Sequence, residues 1–214
     1  VLGGCGNVTI KRGRQDIGDQ FSAGTMSFTM LDTTGVFNPF NEDSPYWDTT
    51  TEQPGLAPMR KVRFARYDTL NAKEYLFKGF IVNYDYNFAL GGIDTVTVYC
   101  ADDFYLLSQT YMDEFNVSEQ LSSARITAVL NLPEVAFPIA QRAISTGTQT
   151  LGGSAAFTVD NGTSVQAYLA AINQAEQGRL FMSRDGDLTF QPRIGNTLSG
   201  SVADFHDDGT NIPY

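Results

Sequence analysis

The sequence predicts a β-rich protein in two unlike parts, an antiparallel barrel or sandwich over residues 1–101 and a smaller α+β domain with a helix-hairpin unit over residues 102–214. Three observations carry this. Between Val8 and Ala101, short runs of alternating apolar and polar residues are separated by Gly, Pro and Asn clusters, the pattern of half-buried strands. Phe and Tyr, at 15 and 10 of 214 residues, far outnumber the single Trp and favour strands. After Ala101 the period changes, and helical spacings appear between extended pieces.

In the first part, Val8 to Arg12 reads as a short strand, and Thr25 to Leu31 as a second with Met26, Phe28 and Met30 on one face. Residues 32–58 contain Gly35, Pro39, Pro45, Pro54, Gly55 and Pro58 and read as one long loop. Long ordered loops in compact domains tend to carry function. Arg60 to Arg66 is a third strand, Val62 and Phe64 alternating with Lys61, Arg63 and Ala65. Tyr75 to Phe88 forms a long fourth strand, or two joined at Gly79, and Gly91-Gly92 turns it into Asp94 to Cys100.

The second part opens with Asp102-Asp103 before Phe104, Leu106 and Leu107, a short helix near 102–108 with negative charge where the helix dipole favours it. Ser118 is the expected N-cap of a helix over 118–131, which ends before Pro133. Thr163 and Gln166 have the spacing of a capping box for a helix over 163–177, with Val165, Leu169 and Ile172 as its apolar stripe. A hairpin over 179–191 follows. With Asp185-Gly186 as a two-residue turn, Arg184 faces Asp187 and Phe181 lies opposite Phe190 on the buried face.

Composition excludes several functions. A net charge of −10 argues against a groove that holds nucleic acid through its phosphates. No apolar run approaches the roughly 20 residues that span a bilayer, so no membrane insertion is expected, and the opening residues are too polar for a signal peptide. The absence of an initiator Met at Val1 and the run Asn211 to Tyr214 suggest a fragment of a longer polypeptide. Cys5 and Cys100 provide no disulfide framework; two reduced thiols are expected, with a bridge between them the alternative. His206 is the only histidine, and neither it nor Cys100 has a local signature of a Cys-His catalytic pair. Asp204, His206, Asp207 and Asp208 lack the ligand spacing of a calcium loop, and Asp185-Gly186-Asp187 belongs to a turn. Adjacent carboxylates such as Glu42-Asp43 and Asp113-Glu114 read as solvated surface. No phosphate loop, nucleophile elbow, zinc helix or dinucleotide fingerprint is present. The expectation is no enzyme, no metal and no cofactor. Arg12, Arg14, Lys61, Arg63 and Arg66 concentrate positive charge in the first part, as a solvated strand face or as a contact to an acidic neighbour.

Several blocks in order resemble a known family. They are Ile10 to Arg14 (IKRGR), Ala23 to Tyr46 (AGTMSFTMLDTTGVFNPFNEDSPY), Leu56 to Phe64 (LAPMRKVRF) and Tyr75 to Ile81 (YLFKGFI). Further on come Ser122 to Leu151, the hairpin GRLFMSRDGDLTFQPR and the closing FHDDGTNIPY. Together they resemble the minor tail proteins of long-tailed actinobacterial phages. Leu56-Ala57-Pro58-Met59 stands where that pattern has Pro-Gly, and Phe137-Pro138 where it has Trp-Pro.

The resemblance implies a structural hub at the tail tip of the virion, assembled in the host cytoplasm. Its N-terminal antiparallel split β-barrel would help build a ring, usually a homotrimer, that continues the tail tube, and the α/β domain would brace it. The implied partners are further copies of itself, the distal tail protein, the tape measure protein and other tail-tip proteins, with DNA only in transit. Within the long loop, Phe37, Phe40, Tyr46 and Trp47 are four aromatics in a polar segment, and they are the expected subunit interface. A carbohydrate-binding or receptor-binding tail module is the alternative, which exposed aromatics on a rigid concave face would favour.

Overall fold

A computed structural model describes residues 5–14, 19–55, 57–67, 69–152 and 157–193. In the first part, β1 (Cys5–Lys11) and β2 (Thr25–Asp32) lead into the long loop, which holds the two-residue strands β3 (Trp47–Asp48) and β4 (Gln53–Pro54). Then come β5 (Lys61–Tyr67), β6 (Lys73–Asn87) and β7 (Asp94–Ala101). Five of these form one antiparallel sheet in the order β1-β2-β7-β6-β5, with β1 and β5 as its edges. Register shifts between Phe64 and Ala65 and between Ile81 and Asn83 bend the long strand β6, and the sheet curls. Strand β6 runs unbroken through Gly79. A Cβ there would lie 2.1 Å from the Ala101 carbonyl oxygen, so only glycine lets the end of β7 approach.

Alternation sets the two faces of the sheet. Met26, Met30, Phe77, Ile81, Val96, Val98 and Cys100 are buried on one, with Phe28, Val62, Phe64 and the loop residue Phe37 packed against them. Each such burial contributes about 1.5–3 kcal/mol. The other face carries Thr25, Ser27, Thr29, Thr97 and Tyr99, and the hydroxyls of Thr29 and Thr97 lie 3.1 Å apart.

The second part has α1 (Asp103–Gln109), β8 (Tyr111–Met112), β9 (Phe115–Val117), β10 (Gln120–Leu121), α2 (Ser122–Leu130), β11 (Arg142–Ile144), β12 (Thr150–Leu151), β13 (Phe157–Val159), β14 (Thr163–Ser164), α3 (Val165–Glu176), β15 (Arg179–Met182) and β16 (Leu188–Gln191). Strand β16 pairs antiparallel with β15 and parallel with β11. Short ladders join β9 to β13, β8 to β14 and β10 to β12. Helices α1 and α2 pack on α3, and the buried stripe Val165, Leu169, Ile172 meets Phe104, Ile126 and Phe190 in a second apolar core. The protein is thus a β-rich α+β fold.

Three expectations are corrected, and the alternative of a Cys5–Cys100 bridge is removed. In the hairpin, the Ser183 N–H donates to the Asp187 carbonyl at 2.8 Å, so the loop has three residues, with Gly186 at φ +82. A type I turn closed by a left-handed glycine shifts the register by one. Leu180 therefore faces Phe190, Met182 faces Leu188, and all four are buried. Phe181 instead points to the other face, its ring 5.2 Å from that of Phe21.

The helix caps also move. Ser164, not Thr163, is the N-cap of α3 and accepts from the Ala167 N–H at 3.5 Å; Thr163 is held in β14 opposite Met112. Likewise α2 starts at Ser122, because Gln120 and Leu121 pair with β12 before the helix begins, and Ser118 caps nothing. Finally, Cys5 lies opposite Met30 and Cys100 opposite Met26, on strands with β2 between them. Two strand spacings of about 4.8 Å, offset by four residues, exceed the roughly 7 Å Cα limit of a disulfide.

Candidate functional site

The long loop is built as a rigid platform from its base upward. At the end of β2, Asp32 is 3 % exposed, and its carboxylate accepts from the N–H groups of Val36 at 3.0 Å and Phe37 at 2.9 Å. The Tyr86 hydroxyl lies 2.9 Å from Asp32 and 3.1 Å from Asp94, and burial together with these carboxylates raises its pKa well above the ordinary phenol value. The Tyr84 hydroxyl donates to the Phe37 carbonyl. From there the chain makes successive turns, each held by its own side chain. Asn38 accepts from the Phe40 N–H at 2.9 Å, Asn41 from Asp43 at 3.1 Å, Ser44 from Tyr46 at 3.2 Å and Asp48 from Thr50 at 2.9 Å. Asn, Ser and Asp suit these positions because a short side chain can bond the backbone two residues on. The far end closes on Gly55, where a Cβ would lie 1.7 Å from the Tyr46 carbonyl oxygen.

This platform sorts the four expected interface residues. Phe40 is 81 % exposed and Tyr46 48 %. Phe37 is half-buried, packs on the sheet core and stacks on Tyr46 with ring centroids 5.5 Å apart. Trp47 is half-buried and pairs with Pro54. Phe40 and Tyr46 face outward; Phe37 and Trp47 serve the loop itself.

A second constellation joins the two parts. The Asp102 carboxylate, 2 % exposed, caps α1 by accepting from Phe104 at 3.1 Å and also accepts from Gly24 at 2.8 Å. Burial pushes its pKa up to about 6, against the opposing pull of those two N–H groups and the Arg12 charge. Arg12 reaches across to the carbonyls of Leu76 at 3.2 Å, Met182 at 2.8 Å and Ser183 at 2.6 Å, and burial lowers its pKa. Glu74 on β6 receives Arg66 at 2.7 Å and Arg184 at 2.9 Å. The Asn173 amide donates to Gln20 at 2.9 Å. These groups act as a joint: apart from the neutral Asn173–Gln20 pair, every bond is to backbone or to an opposite charge.

Two buried charges escaped sequence reasoning. Arg125 on α2, 2 % exposed, donates to the Tyr168 hydroxyl at 2.9 Å and to the Ser118 carbonyl at 2.6 Å. Glu176 on α3, 1 % exposed, accepts from Ser122 at 2.6 Å, from the Thr148 N–H and hydroxyl at 3.0 and 2.6 Å, and from the Gln149 N–H at 2.8 Å. Burial raises its pKa, but these bonds together outweigh burial and leave it lowered. The signal was present in the helical spacing. Arg125 falls on the stripe of Ser122, Ile126 and Val129, and Glu176 continues the stripe of Leu169 and Ile172.

Reactive chemistry is thin among the described residues. Cys100 is buried in the sheet core, and desolvation pushes its thiol up to about 11, away from the thiolate a nucleophile needs. No group of three or more His, Cys, Asp or Glu side chains is placed to hold a metal among the described residues. Asp204, His206, Asp207 and Asp208 lie outside those residues.

Neither a family model nor a curated protein matches the sequence. The fold does match solved structures. A prophage MuSo2 43 kDa tail protein from Shewanella oneidensis matches 94% of this chain and 58% of its own length, with a TM-score of 0.53 and 14% identity. The tail protein from Neisseria meningitidis MC58 matches 87% of this chain and 50% of its own, with a TM-score of 0.52 and 12% identity. The chain has the fold of phage tail proteins and spans about half the length of each.

Proposed function

We propose that this chain is a structural tail-tip hub protein of a long-tailed phage. Its curled sheet acts as the tube-forming split barrel below the distal tail protein, and its second part braces that barrel. The fold it shares with two tail proteins over about nine tenths of its length is the observation that carries this reading. The site geometry agrees with it. A loop fixed by side chain to backbone bonds at four successive turns presents Phe40 and Tyr46 without needing to order itself on contact. A subunit with net charge −10 is also suited to let DNA pass unbound, since like charge repels phosphate within a Debye length of roughly 8 Å. The order of sequence blocks, which resembles that of minor tail proteins of actinobacterial phages, supports this reading, with the tape measure protein and other tail-tip proteins as the further partners it implies.

The direct test is the mass of the purified chain in solution. A trimer is expected, and Phe40→Ala, a change at an exposed side chain, should give folded monomers. An unchanged trimer with Phe40→Ala, or a wild type that never trimerises, would remove the loop from the interface.

A second reading has one observation of its own. An open groove on the outer sheet face runs between Tyr99 and Tyr105, walled by Thr9, Thr25 and Ser27, and offers ring faces and hydroxyls to a sugar. Binding on a glycan array that Tyr99→Ala abolishes would favour that reading.

A further inference from the structure

The end of the five-stranded sheet where β6 turns into β7 carries carboxylates and no cation. Asp32 on β2 and Asp94 on β7 are register partners there, and Asp85 stands exposed on β6 opposite Thr97. The stretches of chain that build this end hold no Lys or Arg: none precedes Lys11, none falls between Thr25 and Met59, and none between Gly79 and Ala101. The Tyr86 hydroxyl fixes the two partners in place, 2.9 Å from Asp32 and 3.1 Å from Asp94.

From this acidic base an apolar tip projects. The β5 ladder starts at Lys61 opposite Phe80, so the far half of β6 has only β7 as a paired neighbour, and β2 ends opposite Asp94. Residues 88–93 therefore lie past the last paired row of the sheet. They present Phe88, Leu90 and Ile93, with Leu31 on the neighbouring strand; Leu90 is fully exposed. The tip is held in one shape. Asp94 accepts from the Ala89 N–H at 2.8 Å, the Gly92 N–H donates to the Ala89 carbonyl at 3.1 Å, and the Phe88 ring lies 4.6 Å from that of Tyr86. A tip shaped before contact loses little conformational entropy on docking, and burying its convex apolar side chains takes a concave surface.

A second copy of the chain is a poor match for this tip. Much of its positive charge already faces its own carboxylates: Arg66 and Arg184 hold Glu74, Lys61 and Lys78 lie in the field of Asp103, and Arg12 in that of Asp102 and Asp185. Copies with a net charge of −10 repel an acidic end. Lipid is a poor match as well, because loops that enter membranes carry basic or indole anchors at their base, whereas this one has Asp85 and Asp94. We propose that the β6–β7 tip plugs into a concave apolar socket, rimmed by Lys or Arg, on a different protein. Apolar burial supplies the affinity; the carboxylates orient the tip and reject acidic surfaces. Where the contact sits in a tail rests on the assembly reading above; the contact itself does not.

Site-specific photo-crosslinking tests this, in cells that make the protein among its natural partners. A photoreactive phenylalanine analogue replaces Leu90, which is fully exposed and adds nothing to the core; in a control it replaces Tyr111, exposed on the second part. The product from position 90 should contain a different protein, linked through a segment that carries Lys or Arg beside apolar residues, and the product from position 111 should not contain it. Asp85→Lys should lower the yield at position 90 about fivefold, the size of one exposed charge contact, with Asp85→Asn intermediate. Crosslinks chiefly to another copy of the chain or to lipid, no product at all, or a yield that Asp85→Lys leaves unchanged would each overturn the proposal. Detection of the chain in virions is a separate readout and judges the tail-tip reading alone.

Discussion

Asp102 and Gly24 are tied by two reciprocal hydrogen bonds. The Gly24 N–H donates to the Asp102 carboxylate at 2.8 Å, and the Asp102 N–H donates to the Gly24 carbonyl at 2.9 Å. The last residue pair of the sheet region and the first cap of the helical region are therefore one unit. A Cβ on Gly24 would lie 2.6 Å from the Asp102 carboxylate, so the close approach requires glycine.

That unit makes stability depend on pH. The Asp102 carboxyl titrates near 6 when folded, against 3.8 for the free side chain, so the folded state holds its proton more tightly. The resulting stabilisation is full below about pH 4 and is lost as pH rises through about 6; two units correspond to about 3 kcal/mol. Urea midpoints of wild type should fall over that interval relative to those of Asp102→Asn, which has no titrating group there. Parallel pH profiles for the two proteins would refute the assignment.

Glu176 anchors the segment around Thr148 and Gln149 through two hydroxyls, those of Ser122 and Thr148, and through the backbone N–H groups of Thr148 and Gln149. Glu176→Ala strands those donors and should cost roughly 3 kcal/mol or more, with Glu176→Gln costing less because one acceptor remains. Amide hydrogen exchange at Thr148 and Gln149 should accelerate with the same ranking. Gly147→Ala should resemble Glu176→Ala, since its Cβ would lie 1.9 Å from the Ser122 hydroxyl that feeds the carboxylate.

Asp32 holds the loop base in the same way. Asp32→Ala removes both N–H acceptors for Val36 and Phe37 and should cost about 2–4 kcal/mol. Assembly should weaken even though Phe40 and Tyr46 are untouched, because the platform under them is no longer ordered. Tyr86→Phe, which removes one hydroxyl, should show a smaller loss in both thermal midpoint and trimer fraction.

Much of this fold was legible because strand period and turn residues are local. The strands from Val8 to Ala101 and the stripe Val165, Leu169, Ile172 follow from spacing alone. What failed depended on one residue of register or on distant partners. A three-residue loop at Arg184 to Gly186 exchanges Phe181 for Leu180 on the buried face, and nothing local separates that turn from a two-residue one. Thr163 and Ser118 look like caps until β8 claims the former and the pairing of β10 with β12 shifts the helix past the latter. The interface candidates divided for a similar reason. Four aromatics in a polar loop look equivalent in sequence, but the hydrogen bonds to Asp32 and Tyr84 turn Phe37 inward.

The most direct measurement of the central claim is the position of this chain in intact virions, by cryo-electron microscopy of the particle. The account predicts density matching this fold as a closed ring at the tip of the tail, with the loop carrying Phe40 at the seam between neighbouring copies. Density for the chain on the capsid or as isolated appendages away from the tube axis, or a virion without it, would contradict the account.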